Sequence, residues 1–229
     1  MNRQIKSRVG MSGFLFALLV TLAGGAVAGI TGSKHDLSTS GGGTIKSTDQ
    51  TEICVFCHTP HDAIKNNNIP LWNHTLSTTA NYGVYTSPTF DATDSADLGG
   101  VTATNAAVSN LCLSCHDGTV AVNSLNNASN ANPTTTMATT LITGSANLGT
   151  GVDALKNDHP VNFTYNPGTG AGLDAGLTPT ASLVGVKLYS NKVQCASCHD
   201  PHTSADPSGK AFLRVTMAGS SMCLKCHVK

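Results

Sequence analysis

The eight cysteines of this 229-residue chain occur only as pairs spaced i, i+3, and a histidine directly follows every pair. The four sites are Cys54-Val55-Phe56-Cys57-His58, Cys112-Leu113-Ser114-Cys115-His116, Cys195-Ala196-Ser197-Cys198-His199 and Cys223-Leu224-Lys225-Cys226-His227. C-x-x-C-H is the attachment signature of a c-type haem. Each thiol adds to one vinyl group of the porphyrin, and two cysteines one helical turn apart match the span between the vinyls. The adjacent histidine then lies under the ring and offers a neutral imidazole nitrogen to iron. Disulfides suit an exported chain but place no demand on the next residue. Zinc ribbons use C-x-x-C pairs without requiring a histidine after each. Haem chemistry alone accounts for all three positions of every motif, so four covalently attached haem c groups are expected.

With the four motif histidines assigned, five remain: His35, His61, His74, His159 and His202. Four six-coordinate irons need four further ligands. Once a leader is removed, only Met137, Met217 and Met222 are left as sulfur donors, too few for four irons. The surplus of histidine favours bis-His ligation, which gives a lower potential than His/Met. In His58-Thr59-Pro60-His61 and again in His199-Asp200-Pro201-His202, a second histidine stands three residues after the first. Two imidazoles so close in the chain cannot take opposite faces of one ring, so the second must reach a different iron and pin two haems together.

The halves repeat at the level of ligands. A lone upstream histidine precedes C-x-x-C-H-x-P-H, and a simpler C-x-x-C-H closes the unit: His35, 54–61 and 112–116, then His159, 195–202 and 223–227. Spacings within the two units differ, so the repeat is read as one of ligands rather than of backbone length. His35, His61, His159 and His202 are the expected distal ligands. His74 has no counterpart and is the reserve candidate.

The elements that must position these residues are sparse. Short helices are expected at the C-x-x-C-H sites, including 193–199 and 220–227, because one turn puts i and i+3 on one face. Residues 161–165 alternate as a strand does, and 183–189 is the candidate for a partner strand. The rest reads as coil, with a Gly-rich stretch at 166–176 as punctuation. The fold class is therefore mostly coil with a few short helices and little strand, organised around four haems. Residues 1–28 have the order of a signal peptide: Arg3, Lys6 and Arg8, an apolar run over 14–23, then Ala26-Val27-Ala28 before cleavage. That run falls short of the roughly 20 apolar residues needed to span a bilayer. A two-haem unit over 29–122, an Asn/Thr/Gly-rich linker over 123–151 and a second two-haem unit over 152–229 complete the division.

Composition sets the remaining limits. Net charge is zero and charged residues are only 11% of the chain, so no basic field exists to hold nucleic acid. Aromatics at 5% are too few for a large conventional core. Porphyrins would supply apolar surface in its place, and thioether loops would constrain the unfolded chain as cross-links do. A compact chain of this size has a radius of gyration of roughly 16–17 Å, so four haems inside it lie close together. Iron with both axial positions filled has no place for substrate. No Ser/His/Asp spacing, Walker loop or dinucleotide fingerprint is present. The expected role is electron carrier, not enzyme.

His35-Asp36-Leu37-Ser38, the run Cys54 to His61, and Pro70-Leu71-Trp72-Asn73 resemble multihaem c-type cytochromes of metal-respiring bacteria, whose tetrahaem members polymerise into surface filaments. The resemblance implies an extracellular or cell-surface filament with a continuous haem stack and bis-His irons. It implies copies of itself, other c-type cytochromes and external acceptors as partners, with no nucleic acid and no membrane span. It also implies that one distal histidine crosses to a neighbouring subunit. His35, on the Gly-rich arm 29–43, is the candidate for that role. A soluble periplasmic tetrahaem shuttle is the first alternative. The second is a multihaem reductase of nitrite, hydroxylamine or an oxyanion, which needs an open axial site.

Overall fold

The computed structural model describes residues 29–65, 71–102, 107–128, 134–149, 154–203 and 212–228, and the expected leader lies outside them. The described chain is mostly turns and coil, with three α-helices and one two-stranded sheet. All three helices fall on attachment sites: α1 is Val108–His116, α2 is Cys195–Cys198 and α3 is Cys223–Cys226. The first site is a 3-10 turn over Cys54–Phe56. At three of the sites the motif histidine closes the turn by donating its backbone N–H to the first cysteine: His58 to Cys54 (2.8 Å), His199 to Cys195 (3.1 Å) and His227 to Cys223 (2.9 Å).

Local chemistry starts and stops these turns. Asn110 Oδ1 accepts the Ala107 N–H at 2.7 Å ahead of α1, and its Nδ2 donates to the Leu98 carbonyl at 2.8 Å. Gly118 ends α1 in the left-handed region, φ +70°, where its N–H reaches back to the Cys115 carbonyl. Before α2, Gln194 N–H donates to Ser197 Oγ at 2.9 Å.

The strand expected at 161–165 exists as β1, Phe163–Thr164, but its partner is β2, Lys192–Val193, rather than 183–189. The two strands are antiparallel, with Phe163 opposite Val193 and Thr164 opposite Lys192. Residues 180–182 form a 3-10 turn and Val184 is 68% exposed, and within 183–189 the bridge falls at Tyr189, which pairs with Lys192. Ser190 (φ 50°) and Asn191 (φ 61°) then reverse the chain, the positive φ at both central residues being that of a type I′ turn. Tyr189 and Lys192 exchange both backbone bonds across it, at 3.0 and 2.9 Å.

Burial is divided among small clusters. Val55, Phe56, Val122 and Met137 form one, Tyr82, Leu98, Leu113 and Leu155 a second, and Phe163, Tyr165 and Val193 a third, with Trp72 the centre of a fourth. The described part of the stretch expected as a linker packs onto the first unit. Met137 joins the Phe56 cluster, Thr48 N–H donates to the Thr136 carbonyl (2.9 Å), and Leu148 N–H donates to the His116 carbonyl (2.7 Å).

Between these clusters lie buried polar side chains, each with partners. Asn73 Nδ2 donates to the Val55 and Asn127 carbonyls at 2.6 and 2.7 Å, and its Oδ1 accepts from Asn127 N–H at 2.8 Å. Asp117, directly after α1, is fully buried. Burial opposes its ionisation, yet hydrogen bonds from Ser77, Thr119 and Tyr82 hold its carboxyl below the ordinary range. Its Oδ2 accepts from Ser77, from Tyr82 at 2.8 Å and from Thr119 at 2.7 Å. Asp117→Ala leaves those hydroxyls buried without their acceptor and should cost about 3 kcal/mol, with Asp117→Asn losing less than half as much. Denaturant unfolding of the haem-loaded protein checks this, and an unchanged midpoint for the alanine variant would contradict it.

Candidate functional site

All eight cysteines are free thiols, with Cys54 and Cys223 exposed and the other six half-buried. Short helical turns place the paired thiols of each motif on one side and carry the histidine past the second cysteine. The second and third sites dovetail. Ser109 Oγ on α1 donates to Gln194 Oε1 at 2.5 Å and accepts the Cys195 N–H at 3.0 Å. There the Cys112 thiol donates to the Cys195 sulfur, and that bond together with burial raises the Cys112 pKa well above its ordinary value. Cys57 and Cys115, of the first and second sites, both pack on the Phe56 cluster.

The histidines meet in pairs. The ring centres of His58 and His202 are 6.0 Å apart with planes 20° from parallel. Those of His35 and His116 are 6.0 Å apart at 57°, and those of His159 and His227 are 6.4 Å apart at 66°. Two imidazoles on opposite sides of one iron have ring centres roughly 6 Å apart, from two metal–nitrogen bonds of about 2 Å plus about 1 Å to each ring centre. Simple ring contact covers the same range. What singles these contacts out is composition. Each of the three His–His pairs among the described residues joins a C-x-x-C-H histidine to one outside the motifs.

His35 lies within its own chain. The arm expected to reach outward folds back, with Thr39 N–H donating to the Gln50 carbonyl (2.8 Å) and Ser47 N–H to the Leu37 carbonyl (2.8 Å). Asp36 is fully buried and accepts from Gly32 N–H (2.8 Å) and Ser38 Oγ (2.6 Å). The His35 ring stacks on Phe212 at 4.5 Å. Burial, then the nearby His116 and His199, push its pKa down to about 4, so the imidazole is neutral, the form that binds iron.

His74 is differently placed. It is buried, its Nδ1 lies 2.9 Å from the Thr75 carbonyl and its Nε2 3.0 Å from the Ala121 carbonyl, and burial lowers its pKa. His61 is exposed on the turn that follows the first site, and His199 is half-buried after α2.

Three features escaped sequence reasoning. Trp72 sits edge-on to His58, 6.2 Å between ring centres, and its buried indole Nε1 has no acceptor. Arg214 donates from Nη1 to Asp200 Oδ2 and from Nε to the Ala196 carbonyl, both at 2.9 Å, clamping the third site. The third feature is a backbone repeat. After the first site, Thr59 N–H donates to the Leu71 carbonyl and Asn73 N–H to the Cys57 carbonyl (both 2.9 Å). After the third, Asp200 N–H donates to the Phe212 carbonyl and Arg214 N–H to the Cys198 carbonyl (both 2.8 Å). Leu71 and Phe212 even share a positive φ, 57° and 54°. The described parts of 54–73 and 195–214 thus make the same backbone bonds at identical spacing, where only a repeat of ligands was expected.

These residues fit a haem. The thiols are free, imidazoles face one another at an iron-sized separation, and an orphaned indole N–H beside His58 suits a propionate acceptor. Among the described residues no group of three or more His, Cys, Asp or Glu converges as a metal cage, as the zinc alternative would need. A family model described as the doubled CXXCH motif matches residues 189–229, which span the third and fourth sites. No curated protein matches the chain. The doubled motif supports a multihaem c-type cytochrome and is consistent with an electron carrier. Replacing His74 by alanine should cost about 1–3 kcal/mol through the buried carbonyl that loses its donor and leave the visible spectrum of the haem-loaded protein fully low-spin. A new high-spin band would make His74 a ligand instead.

Proposed function

We propose that this chain is an electron carrier with four covalently attached haem c groups, each iron held by two imidazoles, and that it is the subunit of an extracellular filament. The observation that carries the ligation is the composition of the three ring pairs, motif histidine against non-motif histidine every time. Cys54 and Cys57, Cys112 and Cys115, Cys195 and Cys198, and Cys223 and Cys226 would hold the porphyrins. His58, His116, His199 and His227 would be the proximal ligands, with His35, His61, His159 and His202 the distal ones. When bound, such a group supplies one-electron exchange at an iron with no open position.

The chain's own part is to hold those imidazoles in place. His35 is enclosed by the arm and Phe212, and His202 is held by the turn that Asp200 and Arg214 brace. Saturated irons leave no room for a substrate, which favours a carrier over a reductase. The exposure of Cys54 and Cys223 opens the first and last sites to partners, while the dovetailed second and third lie deeper. Export follows from the order of residues 1–28, and no helix among the described residues is long and apolar enough to cross a membrane. A sparsely charged surface studded with Leu71, Val184, Met217 and Val228, each at least half exposed, suits packing against copies of the same chain. With His35 turned inward, that contact is made by surface rather than by an exchanged His35.

The secreted protein should yield four covalently bound haems per chain by pyridine haemochrome and mass, an all-low-spin spectrum, and fibres in the electron microscope. Fewer than four haems would overturn the cofactor assignment. Monodisperse protein confined to the periplasm would replace the filament by the soluble shuttle. A high-spin iron that turns over nitrite or hydroxylamine would replace the carrier by the reductase.

A further inference from the structure

We infer that the shortest electron path between the two halves of the chain runs where Cys112 and Cys195 set equivalent edges of the second and third porphyrins side by side, and that Ser109 is the positioning residue of that junction. The inference rests on the haem reading of the C-x-x-C-H sites and deepens it by naming the contact between two of them.

Attachment is covalent, so a porphyrin edge goes where its sulfur goes. The Cys112 thiol lies within hydrogen-bonding reach of the Cys195 sulfur. That bond is lost when both sulfurs become thioethers, and the surrounding protein must then keep them together. α1 packs on α2. Ser109, fully buried one turn before Cys112, accepts the Cys195 N–H at 3.0 Å and donates to Gln194 Oε1 at 2.5 Å. Its own N–H reaches the same Oε1 at 3.3 Å. Gln194 is buried too, with its N–H on Ser197 Oγ at 2.9 Å and its Nε2 donating to Asn162 Oδ1 at 3.1 Å. One buried hydroxyl on the helix of the second site thus fixes both the backbone and the flanking side chain of the third.

The junction has a defined sense. Every motif has the same spacing and the histidine at the same end, so the first cysteine takes the same vinyl in each. Cys112 and Cys195 are both first cysteines, so equivalent edges meet. The other thiol of the second site, Cys115, packs with Cys57 on the Phe56 cluster, toward the first site. The two edges of the second porphyrin are therefore given to different neighbours. His58 and His202 also meet across the halves, which makes an approach of the first porphyrin to the third the competing path. There the link to the third site runs through the residues between His199 and His202, whereas at Cys112 and Cys195 the sulfurs themselves meet. Tunnelling falls steeply with edge separation, which favours the sulfur junction.

The test uses the full-length secreted protein. Its haem count and spin state are read first, and a missing second or third haem overturns the haem reading and the junction with it. With all haems present, the junction is tested alone. Neighbouring porphyrins couple in the Soret band, with a strength that falls steeply with separation, and produce a two-signed circular-dichroism signal. Ser109→Ala should weaken that signal while every haem stays attached and low-spin. Ser114→Ala should not, although Ser114 is an equally buried hydroxyl of α1, because its Oγ donates to the Leu111 carbonyl of its own helix at 2.6 Å. In a chain without the second haem, through Cys112→Ala, Cys115→Ala and His116→Ala, adding Ser109→Ala should change nothing. A signal unmoved by Ser109→Ala, or one still weakened by it after the second haem is gone, overturns the inference. Should a variant not fold, an electron-microscopic map of the unmodified protein decides the matter. The closest porphyrin edges from the two halves should be those at Cys112 and Cys195, and a closer approach of the first porphyrin to the third, or of any other pair across the halves, defeats it.

Discussion

A saturated haem iron imposes one geometric demand: two neutral imidazole nitrogens must approach from opposite faces, roughly 4 Å apart, on a line through the metal. The architecture answers to that demand more than to any need for regular secondary structure. A single helical turn suffices to present two thiols and a histidine, so helices exist where motifs exist and elsewhere the chain is free to wander. On the proposed ligation the opposing imidazole comes from far away in sequence, His202 for His58 and His35 for His116, and the intervening chain has only to deliver it. Turns rich in Gly, Ser, Thr and Asn do this well, because their side chains satisfy backbone groups locally.

Delivery must still be exact to a fraction of an ångström, and small apolar clusters alone do not achieve it. The buried polar side chains supply the rest, and their positions are telling. Asp36 directly follows His35, Asn73 is tied to Val55 inside the first motif, Asp117 directly follows His116, and Gln194 directly precedes Cys195. Each of these residues is nearly or fully buried and hydrogen-bonded beside a residue that would touch haem. A hydrogen bond contributes little net stability when made and costs several times more when broken inside a protein. A polar strut next to each ligand therefore narrows the range of positions the imidazole can occupy. Ordering so much coil has an entropic cost of about 1–2 kcal/mol per residue, which thioether bonds offset by restricting the unfolded chain.

The attachment sites were legible because their chemistry is written in consecutive residues. The sparse helices and the strand at 163–164 followed from short-range pattern. What sequence hid is carried by backbone. The 54–73 and 195–214 repeat pairs Leu71 with Phe212, Trp72 with Leu213 and Asn73 with Arg214, unlike residues making like backbone bonds, so no comparison of side chains reveals it. The hairpin partner was missed because Ser190-Asn191 adopts a I′ turn without the glycine that usually signals one. The stretch 123–151 looked like spacer by composition, yet Met137 within it fills the Phe56 cluster and so ties it to the first unit. His35 looked free on a Gly-rich arm, but Asp36, one residue on, is the anchor that folds the arm inward.

The division of the chain into two linear halves also differs from its division in space. Ser109 of the first half holds Gln194 and Cys195 of the second. Asp94 accepts from the Thr164 N–H at 2.8 Å and pairs with Lys192 at 3.4 Å, while Phe90 meets Phe163 edge to face at 5.2 Å. His58 faces His202 across the same boundary. In a chain that emerges N-terminus first, the 54–58 site is therefore complete in its thiols and proximal ligand long before residues 195–214 exist to supply the opposing imidazole. On the proposed ligation, an iron held there would lack its second imidazole until then. Closure comes when α2 docks on α1 through Ser109 and Gln194, a step that brings His202 up to His58. On the proposed ligation, cofactor loading and tertiary folding would then be coupled through the last ligand to arrive.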